Sequence, residues 1–181
     1  GVLGSAVNGG SQHAIYFGAT VSVTYNAVSY TDMVAAGDIW IYGSTAATGG
    51  YHGLNISGTS LTSTAGSITL VGITSGQGGI GIYMAGTSNV IAPLGNITIS
   101  ATNNNVTTGH GLYIVGTAST TAPQVISAGG ALTISSYVSG TSSDAYYLMY
   151  ITNYTLLKSG SDMVFGLNSP NKVSSYTWNV Y

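Results

Sequence analysis

Side chains that could perform acid–base or metal chemistry are scarce in this chain. Its 181 residues include four Asp or Glu, three His, two Lys or Arg and no Cys. Glycoside hydrolysis usually requires two carboxyl groups about 5–10 Å apart. Asp32 and Asp38 are close in the sequence, but no third acid and no Arg lies near them. We therefore expect no catalytic residue, and a polysaccharide-acting enzyme is the least favoured of three functional alternatives.

Two patterns resemble ligand sites. Residues 76–81 read Gly-Gln-Gly-Gly-Ile-Gly, the spacing of a dinucleotide-binding loop, but that loop must open a helix, and a strand-like Ile-Tyr-Met follows it here. His13, His52 and His110 each precede a similar strand by the same offset, and Ile80 takes that place in the intervening repeat. At most two His therefore fall on adjacent repeats, without a nearby carboxylate. We expect these rings to stack at a corner, with no metal and no cofactor.

The scarcity of charge excludes several classes of partner. Only 3% of the chain is charged and the formal net charge is −2, whereas about 25% is usual. Two Lys and no Arg do not neutralise a run of phosphates, so nucleic acid is excluded as a partner. Gly, Ser or Thr interrupts the apolar stretches, so no membrane-spanning helix is expected. A nearly uncharged surface of Ser, Thr, Asn, Gly and Tyr favours a protein held in an assembly.

A repeat of about thirty residues organises the chain. A Gly followed by alternating apolar residues recurs at intervals of 29, 29 and 35 residues, and a degenerate copy follows after 31. These copies begin at Gly37, Gly66, Gly95, Gly130 and Ser161. A second motif follows each start: Gly53-Leu-Asn-Ile56, Gly81-Ile-Tyr-Met84, Gly111-Leu-Tyr-Ile114 and Tyr147-Leu-Met-Tyr150, with Ala14-Ile-Tyr-Phe17 upstream. A Gly-Thr pair and a weaker apolar stretch come next, so each repeat contains three strands.

Strands that recur with one period predict a β-solenoid, in which each strand pairs with its equivalent in the next coil about 4.8 Å away. We expect an all-β fold of about five coils, with about 30 residues and three strands per coil. Ile68 and Ile97 are then neighbours on adjacent parallel strands, and in the second sheet Leu148 points inward. An antiparallel sandwich or barrel is the alternative fold, but neither needs a fixed period. A β-propeller has longer repeats.

The order and spacing of these motifs resemble those of a known protein family. Gly-x-Ile-Thr-Ile, Gly-x-Gly-Leu-Tyr-Ile and Gly-Thr-Ser resemble the coils of filamentous-haemagglutinin-like adhesins and related β-strand-repeat surface proteins, over about residues 12–165. The resemblance implies a right-handed parallel β-helix. It also implies export to the bacterial cell surface and a role in adhesion or fibre formation.

The outward residues of the second strand predict a lateral interaction surface. Tyr rings at one-coil spacing form an exposed aromatic stripe, which serves either as a stacked ladder or as a contact for a glycan, a receptor or another fibre. The residues expected in this outward file are Tyr16, Asn55, Tyr83, Tyr113 and Met149.

Two further segments are candidates for partner contact. The repeat that begins at Gly95 is the longest, and its extra residues fall around 117–124, including Thr117 and Pro123. Because Pro cannot donate to a strand ladder, we expect this stretch to project as a loop. Near the end of the chain, Tyr176, Trp178 and Val180 alternate on one face of residues 173–181, which we expect to join a neighbouring subunit's sheet or, alternatively, to cap the molecule.

These observations predict three segments: an N-terminal lead over 1–11, the β-helix domain over 12–166, and a capping or subunit-linking strand over 167–181. The chain does not begin with Met, so we expect a processed product or a piece of a longer protein. The favoured function is a structural subunit of an extracellular bacterial fibre that associates end to end. The alternative is a segment of a surface adhesin that binds a glycan or host receptor.

Overall fold

The computed structural model describes residues 2–6, 15–18, 23–25, 28–30, 33–105, 109–116, 124–139, 148–151 and 155–169. Of residues 2–30 and 124–125, only the backbone of the strands is described. The strands are β1 (Val2–Ala6), β2 (Ile15–Gly18), β3 (Val23–Tyr25), β4 (Val28–Tyr30), β5 (Met33–Ala35), β6 (Ile39–Thr45), β7 (Leu54–Ser57), β8 (Ser60–Ser63), β9 (Ile68–Thr74), β10 (Ile80–Gly86), β11 (Asn89–Ala92), β12 (Ile97–Asn103), β13 (His110–Gly116), β14 (Gln124–Ala128), β15 (Leu132–Val138), β16 (Met149–Ile151), β17 (Thr155–Ser159) and β18 (Met163–Asn168).

Three parallel sheets run along the molecule, and the chain visits them in turn. Sheet 1 has the strand order β1-β6-β9-β12-β15-β18, sheet 2 the order β2-β7-β10-β13-β16, and sheet 3 the order β5-β8-β11-β14-β17. β3 and β4 form a separate antiparallel hairpin. Each strand pairs with its equivalent one coil away, so the predicted β-solenoid is confirmed. β1 lies inside the segment predicted as a lead and pairs with β6.

Alternation of side chains along the strands builds the core. In sheet 1, Ile68 lies opposite Ile39 on one side and Ile97 on the other, as the repeat predicted. The same register continues from Ile97 through Leu132 to Met163. The inward residues of all three sheets meet in one continuous aliphatic cluster, while their neighbours in the sequence face outward.

Polar side chains close the corners of the coils. Where sheet 1 begins, the Asp38 carboxylate accepts the N–H of Ser67 at 2.7 Å, one coil further on. The Ser67 hydroxyl accepts the N–H of Asn96 at 3.1 Å, and the Asn96 amide oxygen accepts the N–H of Ala131 at 2.8 Å. Each coil therefore satisfies a backbone donor of the next, as a buried or bent backbone requires.

The corner between sheets 2 and 3 needs glycine. Gly58 follows β7, and Gly86, at the equivalent place, is the last residue of β10; their φ angles are 65° and 72°. This left-handed region costs side-chain-bearing residues conformational energy, whereas Gly enters it freely. The Gly-Thr pair seen in the sequence therefore marks a sharp turn of the solenoid.

The prediction for the last strand of sheet 2 was wrong by one residue. Met149 lies opposite Leu112 and Tyr150 lies opposite Tyr113, so Met149 takes the inward place in register and Tyr150 the place expected for Met149. Met149 is 8% exposed and belongs to the core. A shift of one residue exchanges the two faces of a strand. The better match was visible, because Met149-Tyr150-Ile151 repeats Leu112-Tyr113-Ile114.

The longest coil holds its extra residues where the spacing placed them. Gly116 lies opposite Gly86, and Ile126 lies opposite Val90. Four residue steps separate Gly86 from Val90, whereas ten separate Gly116 from Ile126. The insertion therefore falls between β13 and β14. Its predicted projection as a loop concerns residues 117–123, which lie outside the described residues.

Candidate interaction surfaces

An aromatic stripe lies on sheet 2. We use this name for Tyr83, Tyr113 and Tyr150 together with His52 and His110. The ring centroids of Tyr83 and Tyr113 are 5.9 Å apart at an interplanar angle of 23°, and those of Tyr113 and Tyr150 are 4.6 Å apart at 21°. Rings stacked from coil to coil turn their faces toward each other. The stripe therefore presents mainly ring edges to a partner, and all five side chains are only partly buried.

The two described His residues belong to this stripe. His52 packs on Tyr83 with ring centroids 4.9 Å apart, and His110 packs on Tyr113 at 5.1 Å. Nδ1 of His52 also accepts the backbone N–H of Ile80 at 3.2 Å. His52 therefore links its own coil to the start of β10 by a ring contact and a hydrogen bond. His13 lies outside the described residues.

The described residues hold no cluster of side chains that could bind a metal ion. No group of three or more His, Cys, Asp or Glu side chains comes together among them. Asp38 acts as a corner acceptor. Asp162 stands at the equivalent place four strand steps away in sheet 1, so the two carboxylates are about 19 Å apart at 4.8 Å per step. Asp32 and Asp144 lie outside the described residues.

The C-terminal coil exposes apolar side chains. Met163 and Phe165 continue the two inward files of sheet 1, yet they are 40% and 36% exposed. Their partners one coil earlier, Leu132 and Ile134, are fully buried. Val164 and Leu156 are also exposed. We call Leu156, Met163, Val164 and Phe165 the terminal apolar face. The described residues supply no further strand beside β18 or β17 to cover it.

The sides of the rod carry smaller features. Trp40 stacks on Tyr42 on sheet 1, with ring centroids 6.0 Å apart, and Leu94 protrudes at a corner. An open groove of about 280 Å³ lies on sheet 1. Its lining includes Ser100, Ser135, Tyr137 and Gly166 and no acidic or basic side chain.

The predicted partner-binding residues divide into three groups. Tyr83 and Tyr113 lie together in the aromatic stripe. The backbone of Tyr16 lies opposite Asn55 in the same sheet, so this residue holds the predicted register. Thr117, Pro123, Tyr176, Trp178 and Val180 lie outside the described residues. Two features were missed: Tyr150, through the register error, and the terminal apolar face, because the sequence of β18 was interpreted only as a further, degenerate copy of the repeat.

Comparison with family models, with curated proteins and with solved structures finds no match. The described part of the chain contains no helix of the length and hydropathy that a membrane span requires. The sheet topology identifies the chain as a repeat protein folded as a β-solenoid.

Proposed function

We propose that this chain is a structural subunit of an extracellular fibre, in which copies associate end to end along the solenoid axis. The observation that carries the proposal is the exposure of the terminal apolar face. Met163 and Phe165 occupy files that are buried in the preceding coils, and burial of such side chains stabilises an interface. The occupant of this face is a second copy of the chain.

The strand edges support the same occupant. β16, β17 and β18 end their sheets on one side of the described solenoid, and β2, β5 and β1 end the same sheets on the other. Unpaired edges of parallel strands are templates for another strand. A copy that presents edges from the same three sheets matches them in direction and spacing.

The composition supports assembly at a bacterial cell surface. Six charged residues give a rod of this size little electrostatic repulsion between copies. The motif cadence resembles that of filamentous-haemagglutinin-like surface proteins, in which such coils serve adhesion or fibre formation. We extend that location and role to this chain as part of the proposal.

Electron microscopy of the purified chain, with light scattering at rising concentration, tests this function. We expect unbranched fibres one solenoid wide and a scattering mass that grows with concentration. Monomers at every concentration contradict the proposal.

The second candidate function is adhesion through the side of the rod. It is favoured by the aromatic stripe, whose rings remain partly exposed along three coils. Amphipathic aromatic residues suit contact with glycans and proteins. Binding of the chain to an oligosaccharide array tests it. Adhesion is supported if the chain binds the array and if Tyr83→Ala abolishes this binding while Thr98→Ala preserves it. Absence of binding across the array contradicts adhesion to glycans.

A further inference from the structure

The three sheets do not contain the same number of strands. Sheet 1 has six, whereas sheets 2 and 3 have five each. β16 and β17 follow β13 and β14 at the level of β15, and β18 lies one level further on. Among the described residues, sheets 2 and 3 hold no strand at the level of β18. The rod therefore ends in a step, with one strand projecting.

This step bears on how two copies can meet. At the opposite end, β1, β2 and β5 together form a complete first level. If two unchanged copies abutted, β1 of the next copy would pair with β18. Among the described strands, none would then stand between β16 and β2 of the next copy or between β17 and its β5, so sheets 2 and 3 would be interrupted by one level. Unpaired backbone groups in an interface are costly.

We propose that β18 of one copy replaces β1 of the next copy and pairs with its β6. This inference rests on the proposed fibre function and specifies the junction. β1 leaves sheet 1, β16 then pairs with β2 of the next copy, and β17 pairs with its β5. All three sheets continue without a vacant level, so every coil of the fibre is complete.

The register is compatible with this replacement. β1 pairs with β6 from Val2, which lies opposite Ile41. Transfer of the sheet 1 register to the junction places Met163 opposite Ile39 and Phe165 opposite Ile41 of the next copy. The projecting strand would thus continue the two inward files of β6, whose residues Ile39 and Ile41 are buried in the single chain. The two side chains it uses are those that the terminal coil leaves exposed.

The register in sheet 2 is also compatible. Met149-Tyr150-Ile151 at one edge and Ile15-Tyr16-Phe17 at the other share an apolar-Tyr-apolar sequence. Tyr150 lies in register with Tyr113, and Tyr16 lies in register with Asn55. Pairing of β16 with β2 of the next copy brings the backbone of Tyr150 beside that of Tyr16.

Engineered disulfides test the register, because the native chain has no Cys. Val164 and Trp40 are exposed and would be direct neighbours across the junction, about 4.8 Å apart. Within one chain they are four strand steps apart, about 19 Å, beyond the roughly 7 Å limit for a disulfide. Fibres of the variant with Val164→Cys and Trp40→Cys are oxidised and separated on a non-reducing denaturing gel. We expect a ladder of covalent oligomers.

The matched control combines Val164→Cys with Thr69→Cys, one strand further from the junction in the same outward file. Thr69 is then about 9.6 Å from Val164 of the previous copy, so no ladder is expected. Fibres without a ladder in the first variant overturn strand replacement and leave the fibre function standing. If that variant forms no fibres, Gly166→Cys with Tyr42→Cys tests the same register. Failure of the unmodified chain to form fibres overturns both proposals.

Removal of β1 gives an independent result. Because β1 is displaced in the proposed junction, a variant without residues 1–6 is expected to form fibres at least as readily as the full chain. Loss of fibres in this variant, with folded monomer retained, contradicts replacement and favours copies that abut through β1.

Discussion

Ile68 lies opposite Ile97 on the adjacent parallel strands β9 and β12, and both side chains are fully buried. The relationship shows how the solenoid is stabilised, because each inward residue packs between its equivalents in the neighbouring coils. A gap at one coil therefore removes contacts on both sides.

The first prediction follows from this packing. Ile97→Ala removes buried methyl and methylene groups and leaves a cavity, so we expect a loss of about 2–5 kcal/mol in the free energy of unfolding. Thr98→Ala, at the outward neighbour, is the control and is expected to change stability by no more than about 0.5 kcal/mol. Urea unfolding of monomeric protein, followed by circular dichroism, measures both. Equal effects of the two substitutions would contradict the inward and outward assignment.

The second prediction concerns the close approach of sheets 1 and 2. A Cβ added at Gly72 would lie 2.2 Å from the carbonyl oxygen of Gly81, whereas a Cβ at Gly37 would meet nothing within 4 Å. Backbone cannot move aside as a flexible side chain can, so Gly72→Ala is expected to cost about 1–3 kcal/mol or more. Gly37→Ala is expected to be nearly neutral. Thermal unfolding compares them, and a neutral Gly72→Ala would show that the sheets are further apart.

The third prediction concerns the aromatic stripe. Tyr83 contacts His52 and Tyr113. Tyr83→Ala removes both stacking contacts, each worth about 0.5–1.5 kcal/mol beyond the buried area, whereas Tyr83→Phe keeps the ring. Urea midpoints are expected to fall clearly for the Ala variant and little for the Phe variant. An Ala variant as stable as the native protein would show that stacking of these rings does not stabilise the fold.

Much of this fold was predictable from the sequence because, in a solenoid, the spacing of the repeat determines which residues of adjacent strands pair. Once Ile68 and Ile97 were recognised as equivalent, their pairing followed. The error at Met149 arose where the chain between β15 and β16 is longer than in other coils, so counting from Leu132 no longer locates the next strand. Only the local match of Met149-Tyr150-Ile151 to β13 could locate it.

The candidate interface was less predictable. In the sequence, Met163 and Phe165 stand at the alternating apolar positions of the degenerate copy that begins at Ser161, and they occupy the corresponding register positions of sheet 1. Their exposure depends on which strands stand beside them, a property of the whole rod and not of the repeat. The extra strand of sheet 1 relative to sheets 2 and 3 is likewise visible only in the sheet topology.

The fourth prediction separates β18 from the segment that follows it. If β18 forms the junction, deletion of residues 173–181 is expected to leave fibre formation intact, as seen by electron microscopy. A deleted chain that remains a folded monomer would instead assign the linking role to that segment, as its alternation of Tyr176, Trp178 and Val180 predicts.

The central claim, assembly through the end of the rod, is tested most directly by light scattering on a matched pair of variants. Met163→Asn with Phe165→Asn replaces the most exposed members of the two inward files, and Leu94→Asn replaces a more exposed apolar residue, 75% exposed, on the side of the rod. Circular dichroism first verifies that both variants are folded. The account predicts that the terminal double variant stays monomeric at concentrations where the Leu94 variant and the native chain polymerise. Undiminished polymers of a folded double variant would contradict it.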